Sequence, residues 1–241
     1  MTSDKDQLYS STEAANGSFV FDQRVAKVFA DMISRSVPGY QQILQMLPTL
    51  TKQFKRENAN YYDLGCSLGA GLLAIDQGLE KDTATLIGID NSEAMLEQAR
   101  INLGAAKQNF ELRNEDLEQS KFSNASLILM NFTLQFIALK ERTALLEKIY
   151  EGLDSGGALI LSEKIRFDEH TTQELMTNIH HQYKSDQGYS NLEISRKREA
   201  IDQILIPETL DQHIRRLKSC GFKIITPWVQ NLQFVSLLAV K

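Results

Sequence analysis

Cysteine is scarce in this sequence. Two occur in 241 residues, Cys66 and Cys220, and they offer neither a disulfide framework nor a paired-cysteine zinc site. Long apolar runs are missing as well: none approaches the ~20 residues that a membrane helix needs. Residues 1–6 are polar and acidic and lack the apolar stretch of a signal peptide. Positive charge is not in excess. The formal net charge is -5, which argues against a general electrostatic grip on nucleic acid and leaves room only for a local basic patch. The chain has no internal repeat and no low-complexity segment. The expectation is a soluble protein of the reducing cytoplasm, with no metal, no membrane partner and no direct nucleic-acid partner.

What is present is the material for a sizeable core. Hydrophobic residues make up 42% and charged residues 24%, ordinary for a globular chain whose length suits one domain with an appended subdomain. Residues 1–20 carry Ser, Thr, Asn and Gly with little periodicity and read as a loose N-terminal arm ahead of a domain over 21–241. Val25, Val28, Phe29, Met32 and Ile33 recur at helical spacing, and Ile43, Leu44, Met46, Leu47 and Leu50 restart it after Ser36-Val37-Pro38-Gly39-Tyr40. These two helices make 21–60 a helical cap, with residues 52–60 as a polar connector. Short apolar strands are expected at 61–64, 85–90, 109–113, 125–132 and 158–163. Helical patterns separate them, among them one that Ser92 caps and one at 142–153. Residues 154–157 read as a turn. Strand and helix in alternation imply an α/β fold, a doubly wound and mostly parallel sheet with right-handed crossovers. Residues 165–206 form a helical insertion, helical from 168 to 202, and another helix follows at 207–219. Strands at 222–226 and 234–240 close the chain as an antiparallel hairpin, with Pro227 and Trp228 in its loop.

The organising stretch is Tyr61-Tyr62-Asp63-Leu64-Gly65-Cys66-Ser67-Leu68-Gly69-Ala70-Gly71. An apolar strand runs into a loop of small residues and then into a helix, where the backbone must bend tightly and let a ligand approach. The glycine order is not the G-x-G-x-x-G of dinucleotide folds. It is nearer the D-x-G-x-x-x-G turn of nucleoside-binding, methyltransferase-like folds. Asp90 ends the second strand, where an acid accepts hydrogen bonds from both hydroxyls of a ribose; capping the next helix is the plainer alternative. Asp116 and Leu117 follow the third strand and suit an adenine amino group and ring face, or are simply a solvated acid and its neighbour. Asn131 ends the fourth strand, facing either a ligand or the backbone of the next turn. No Asn-Pro-Pro-aromatic motif is present, which weakens amino methylation of DNA bases. Arg196-Lys197-Arg198 is either a solvated helix face or an anion site with guanidinium forks. His180 and His181 are adjacent, so they face different ways on a helix and make a poor metal pair. Cys66 and Cys220 read as packing residues, since no histidine lies near Cys66 in sequence to activate it.

Several motifs together resemble one family. Ser36-Val37-Pro38-Gly39-Tyr40, Asp63-Leu64-Gly65-Cys66-Ser67-Leu68-Gly69-Ala70, Asp90-Asn91-Ser92, Asn131-Phe132-Thr133-Leu134-Gln135-Phe136 and Ser162-Glu163-Lys164 are similar to the carboxy-S-adenosyl-L-methionine synthases, once grouped with tRNA wobble-uridine methyltransferases. The resemblance runs from about Phe21 to the C-terminus. It implies a class I S-adenosylmethionine-dependent methyltransferase fold and a homodimer. The implied reaction is not methyl transfer: S-adenosylmethionine and prephenate give carboxy-S-adenosylmethionine, phenylpyruvate and water. The product would supply a tRNA carboxymethyltransferase that completes wobble uridine 5-oxyacetic acid. Carried over by motif, the ligand contacts are Tyr40, Gly65, Cys66, Ser67, Asp90, Asn91, Asp116, Leu117, Asn131 and Arg198. On this resemblance Arg198 changes from solvated face to the catalytic anchor of the new carboxylate.

Overall fold

The first helix begins where a carboxylate satisfies its free amides. In the computed structural model, which describes residues 5, 6, 8, 20–81, 83–202 and 204–241, Asp22 Oδ1 accepts from the Arg24 and Val25 amides at 2.9 and 3.0 Å. Helix α1 follows (Gln23–Ser36) and buries Val25, Ala26, Val28 and Met32. It stops at Val37, the residue before Pro38, where helical backbone is disfavoured. Gly39, at φ +86°, takes the left-handed turn into α2 (Tyr40–Gln53). That helix begins three residues earlier than the apolar spacing suggested and consumes the start of the expected connector.

The alternating part then runs β1 (Ala59–Leu64), α3 (Ala70–Gln77), β2 (Ala84–Asp90), α4 (Glu93–Asn102), β3 (Asn109–Asn114), β4 (Ala125–Asn131), α5 (Arg142–Gly152) and β5 (Leu153–Lys164). The helices α6 (His170–Asp186), α7 (Asn191–Asp202) and α8 (Leu210–Ser219) precede β6 (Ile224–Asn231) and β7 (Phe234–Val240). Among the described residues the strands form one seven-stranded sheet in the order β3-β2-β1-β4-β5-β7-β6. The pairs from β3 to β5 are parallel, whereas β7 pairs antiparallel with both β5 and β6. Chain order reverses between β1 and β4, the crevice where doubly wound sheets bind ligands.

Both faces of the sheet are covered, which is why β4 is almost continuously apolar. Tyr62, Ile128, Met130, Leu159 and Leu161 point to one face, packed with α5 residues Leu145, Leu146 and Ile149 and with Leu217 of α8. Tyr61, Leu127, Leu129 and Ile160 alternate to the other face, with Leu47 of α2, Leu72 and Ile75 of α3 and Leu96 of α4. Each of these side chains contributes about 1.5–3 kcal/mol on burial.

Three expectations need correction. Residues 154–157 lie within the bounds of β5 rather than before it. Pairing jumps from Leu153 opposite Ala125 to Ala158 opposite Leu127, so the expected turn survives as a bulge with Gly156 at φ +78°. Pro227 and Trp228 are not in the hairpin loop but inside β6, where the register shifts between Pro227 and Val229. A proline is tolerated there because β6 is the edge strand; the chain reverses at Leu232, φ +54°. The helical stretch from 168 to 202 is two helices, parted near Gly188 at φ +88°. Most of the expected loose arm lies outside the described residues. Asp6 and Leu8 are described, and Asp6 is buried.

Candidate functional site

The loop after β1 folds back onto the end of β2. Gly65 at φ +75° and Ser67 at φ +49° bend it, and the Gly65 and Cys66 amides donate to the Ile89 carbonyl at 2.8 and 3.0 Å. Asp90 then joins two loops: its Oδ2 accepts from the Ser67 amide and its Oδ1 from the Ser92 amide, both at 2.9 Å. Ser92 caps α4 through Met95 N. A Cβ on Gly65 would collide with Thr133, and one on Gly71 with Asp63 and Leu129. The close approach that this turn requires is therefore between strands and loops, as much as to any ligand.

A cavity of about 640 Å³ opens over this loop, and all ten candidates from the sequence line it: Tyr40, Gly65, Cys66, Ser67, Asp90, Asn91, Asp116, Leu117, Asn131 and Arg198. Its lining is charged in both senses. The acids are Asp63, Asp90, Glu115, Asp116 and Glu118, and Asn91 Nδ2 donates to Asp116 Oδ1 at 3.0 Å. Burial, then the neighbouring charge of Asp90, pushes the Asp63 carboxyl up to about 7. Burial also raises Asp90, against the two amides that favour its anion. Desolvation, with Asp63 and Asp90 adding, pushes the Cys66 thiol well above its usual value, so it is a buried packing residue and not a ready nucleophile. Cys220 is buried and free as well.

Cationic side chains line the same cavity: Lys164, Arg166, Lys184, Lys197 and Arg198, with His180 and His181 of α6. Arg196-Lys197-Arg198 is thus not a uniformly solvated face: Lys197 is 5% exposed, and burial lowers its ammonium to about 8. Its Nζ lies 2.9 Å from Ser36 Oγ and 3.4 Å from Asp6 Oδ2. His180 is fixed as a neutral ring. Its Nε2 donates to the Ser36 carbonyl at 2.8 Å, its Nδ1 accepts from Gln233 Nε2 at 3.2 Å, and burial drives its pKa to about 3.

The exit of β4 lines the cavity too, through Asn131, Phe132 and Thr133. The Asn131 Oδ1 atom is buried without a partner among the described residues, as is Glu115 Oε1. Phe132 sits at φ +62°, a costly backbone for a bulky residue, held by its amide bond to the Ser162 carbonyl at 2.7 Å. Its ring packs between Tyr40 and Phe234 at centroid distances of 6.5 and 5.9 Å. Phe21 meets Phe29 and Phe136 edge-on at 6.1 and 5.8 Å, which gives the cavity an aromatic wall. Sequence reasoning missed Asp63, Lys197 and this wall as site features. The available signal for Asp63 was a carboxylate inside an otherwise apolar buried strand; for Phe29 there was none, since its helical spacing fits a core residue equally well.

Comparison with known proteins adds three findings. Residues 62–157 match the family described as a methyltransferase domain, a span from β1 into β5. Solved structures share the fold: the magnesium protoporphyrin IX methyltransferase of Synechocystis with bound SAM (16% identity, TM-score 0.56, 84% of this chain and 80% of that one) and human N-acetylserotonin methyltransferase in complex with SAM (16%, 0.60, 97% and 57%). Full-length relatives named carboxy-S-adenosyl-L-methionine synthase are 44% identical in Hahella chejuensis (100% of both chains), 46% in Shewanella amazonensis (100% of both) and 47% in Marinobacter nauticus (98% of this chain, 95% of the relative). The chain belongs to the carboxy-S-adenosyl-L-methionine synthase family. Its fold is that of the class I methyltransferases, with the antiparallel β7 between β5 and β6. Within this synthase, Tyr40 and Arg198 fall outside the 62–157 methyltransferase match, one on the helices before it and one on those after it.

Proposed function

We propose that the chain is a S-adenosylmethionine-dependent transferase that makes carboxy-S-adenosylmethionine from S-adenosylmethionine and prephenate, releasing phenylpyruvate and water. The observation that carries this reading is the mixed charge of the cavity lining. Five acids, Asp63, Asp90, Glu115, Asp116 and Glu118, share one cavity with Arg198 and four other cationic side chains. A methyl donor needs no cation beside its methyl group; a donor whose methyl has become a carboxymethyl does.

The residues present suit such a ligand. Asp90 uses one lone pair of each oxygen on the loop amides, which leaves capacity for two ribose hydroxyls. Asp116, oriented by Asn91, accepts from the adenine amino group, and the buried Leu117 lies under the ring. Gly65, Cys66 and Ser67 supply backbone along the sugar and amino-acid part. Tyr40 closes the pocket from α2. Asp63 faces the substrate's ammonium, and the unpartnered Asn131 Oδ1 accepts from a ligand N–H. Arg198 holds the new carboxylate with two guanidinium donors. Atoms balance: prephenate loses carbon dioxide and hydroxide to become phenylpyruvate, the sulfonium methyl gives one proton to that hydroxide, and its carbon takes the carbon dioxide. The positive sulfur supplies the acidity, and the protein positions the reactants and excludes water. The chain acts as a homodimer in the cytoplasm, and its product feeds an enzyme that carboxymethylates wobble uridine in tRNA.

The test is to incubate the purified chain with both substrates and to weigh the nucleoside formed. A species heavier than S-adenosylmethionine by one carboxyl group supports the synthase. S-adenosylhomocysteine, formed with an RNA or small-molecule acceptor, supports ordinary methyl transfer, the reading favoured by the methyltransferase-domain match alone. Arg198→Ala should weaken the carboxylated nucleoside by roughly 100-fold, about 2.7 kcal/mol, and S-adenosylmethionine by less than about threefold. Equal losses in calorimetric titrations would remove the carboxylate role.

A further inference from the structure

Asp6 stands far from the glycine loop in sequence and does not line the cavity, yet it is 3% exposed and joins two helices that do. From α1, Asp31 Oδ2 accepts from the Asp6 amide at 2.7 Å, and Arg35 Nη2 donates to the Asp6 carbonyl at 3.1 Å. From the other side, the Tyr189 hydroxyl donates to Asp6 Oδ2 at 2.7 Å, and Lys197 Nζ lies 3.4 Å from the same oxygen. The Arg35 guanidinium stacks over the Tyr189 ring at 4.1 Å. One turn of chain onward, Leu8 packs into the cluster that contains Met32 of α1 and Ala200 and Ile201 of α7. Asp6 and Leu8 are thus laid into the seam between α1 and α7, with a buried carboxylate against a buried ammonium.

Removing the Asp6 charge takes away the carboxylate nearest the buried Lys197 ammonium and the acceptor of the Tyr189 hydroxyl, a costly change. Lys197 and Arg198 are consecutive on α7, so whatever holds Lys197 fixes the rotation and height of the turn that carries Arg198. We propose that Asp6 is a positioning residue for the carboxylate-binding end of the cavity: by holding Lys197 and Tyr189 against α1, it sets the turn of α7 on which Arg198 stands. The inference rests on the carboxylate role given to Arg198 above. It assigns Asp6 to the active site's architecture, although Asp6 does not line the cavity.

The experiment uses the full-length chain with Asp6→Asn, which keeps size and shape and removes the charge, and with Asp6→Glu as the conservative control. In the ligand-free protein, amide hydrogen exchange across residues 189–202 should quicken in Asp6→Asn, while exchange in β1 and β4 stays as in the unaltered chain. In titrations, the preference for carboxy-S-adenosylmethionine over S-adenosylmethionine should fall roughly tenfold, with S-adenosylmethionine itself within about twofold. Asp6→Glu should recover part of that preference. Unchanged exchange and an unchanged ratio overturn the proposal. So does equal weakening of both ligands together with a lower melting temperature, which would make Asp6 a stability residue only. If the unaltered chain itself shows no preference for the carboxylated nucleoside, the role of Arg198 fails. The exchange result then decides separately whether Asp6 holds α7.

Discussion

Asp63 is the residue whose chemistry depends most on what shares the cavity with it. Alone, it is a carboxyl raised to about 7 by burial and by Asp90; beside a cationic ligand it should ionise. Ligand binding then expels a proton below about pH 7, and affinity for S-adenosylmethionine should rise as pH climbs from about 5.5 to about 7, by at most tenfold per unit. Asp63→Asn should flatten that slope and cost roughly tenfold in affinity near pH 7.5. Calorimetry of both proteins across this range checks it, and a wild-type affinity that does not move with pH speaks against the contact. The candidate site was largely legible at this scale because acids at strand ends and glycines in a tight turn have few other reasons to be there. Lys197 was not legible. Its neighbours Arg196 and Arg198 give the run the look of a solvated face, and only the fold shows that the middle member turns inward onto Asp6 and Ser36.

Between residue and domain, the turn that leaves β4 is held from below by Glu163. Its Oε1 accepts from the Leu134 amide at 3.0 Å, its other oxygen is buried without a partner among the described residues, and burial raises it to about 8. In the unfolded chain the same acid ionises near the ordinary value of 4.5. The folded state thus keeps a proton that the unfolded state releases, so stability falls as pH rises from about 4.5 to about 8, Asp63 adding in the same sense without ligand. Glu163→Gln keeps the acceptor and removes the titration. Between about pH 5 and pH 8.5 the variant should lose roughly 2–4 kcal/mol less than wild type in urea unfolding; parallel losses would refute it. Element boundaries were less readable than element types. Nothing in Pro227 or Trp228 says that an edge strand will absorb them in a bulge, and Asp154-Ser155-Gly156-Gly157 reads as a turn whether it ends a strand or bows out of one. The buried Arg142, which donates to Glu208 at 2.6 Å and to the Gln135 and Ile206 carbonyls at 3.1 and 2.8 Å, was also invisible, since its partners lie up to 66 residues away.

At the scale of the molecule, the doubly wound, mostly parallel sheet with an antiparallel pair at its end was legible from strand–helix alternation and a terminal hairpin, because right-handed crossovers leave few alternatives; the strand order came only with the structure. Among the described residues, the walls of the cavity come from along the chain: α1 and α2, the β1, β2, β3, β4 and β5 exits, α6, α7 and the β6–β7 reversal. Ligand binding should therefore stabilise the protein as one unit. At about 100 times Kd, S-adenosylmethionine should add about 2.7 kcal/mol and raise a single melting transition by roughly 5–10 °C. An early, ligand-insensitive melting step would contradict it. No helix among the described residues is long and apolar enough to cross a membrane. All the acids lining the cavity fall within the 62–157 match, and its lysines and arginines come from flanking lengths of chain. Under the proposed function, capture of the adenosyl donor and the choice of what happens at its sulfur fall to separate lengths of chain. Grafting a different segment in place of α6 and α7 is a route to new reactions on an old handle.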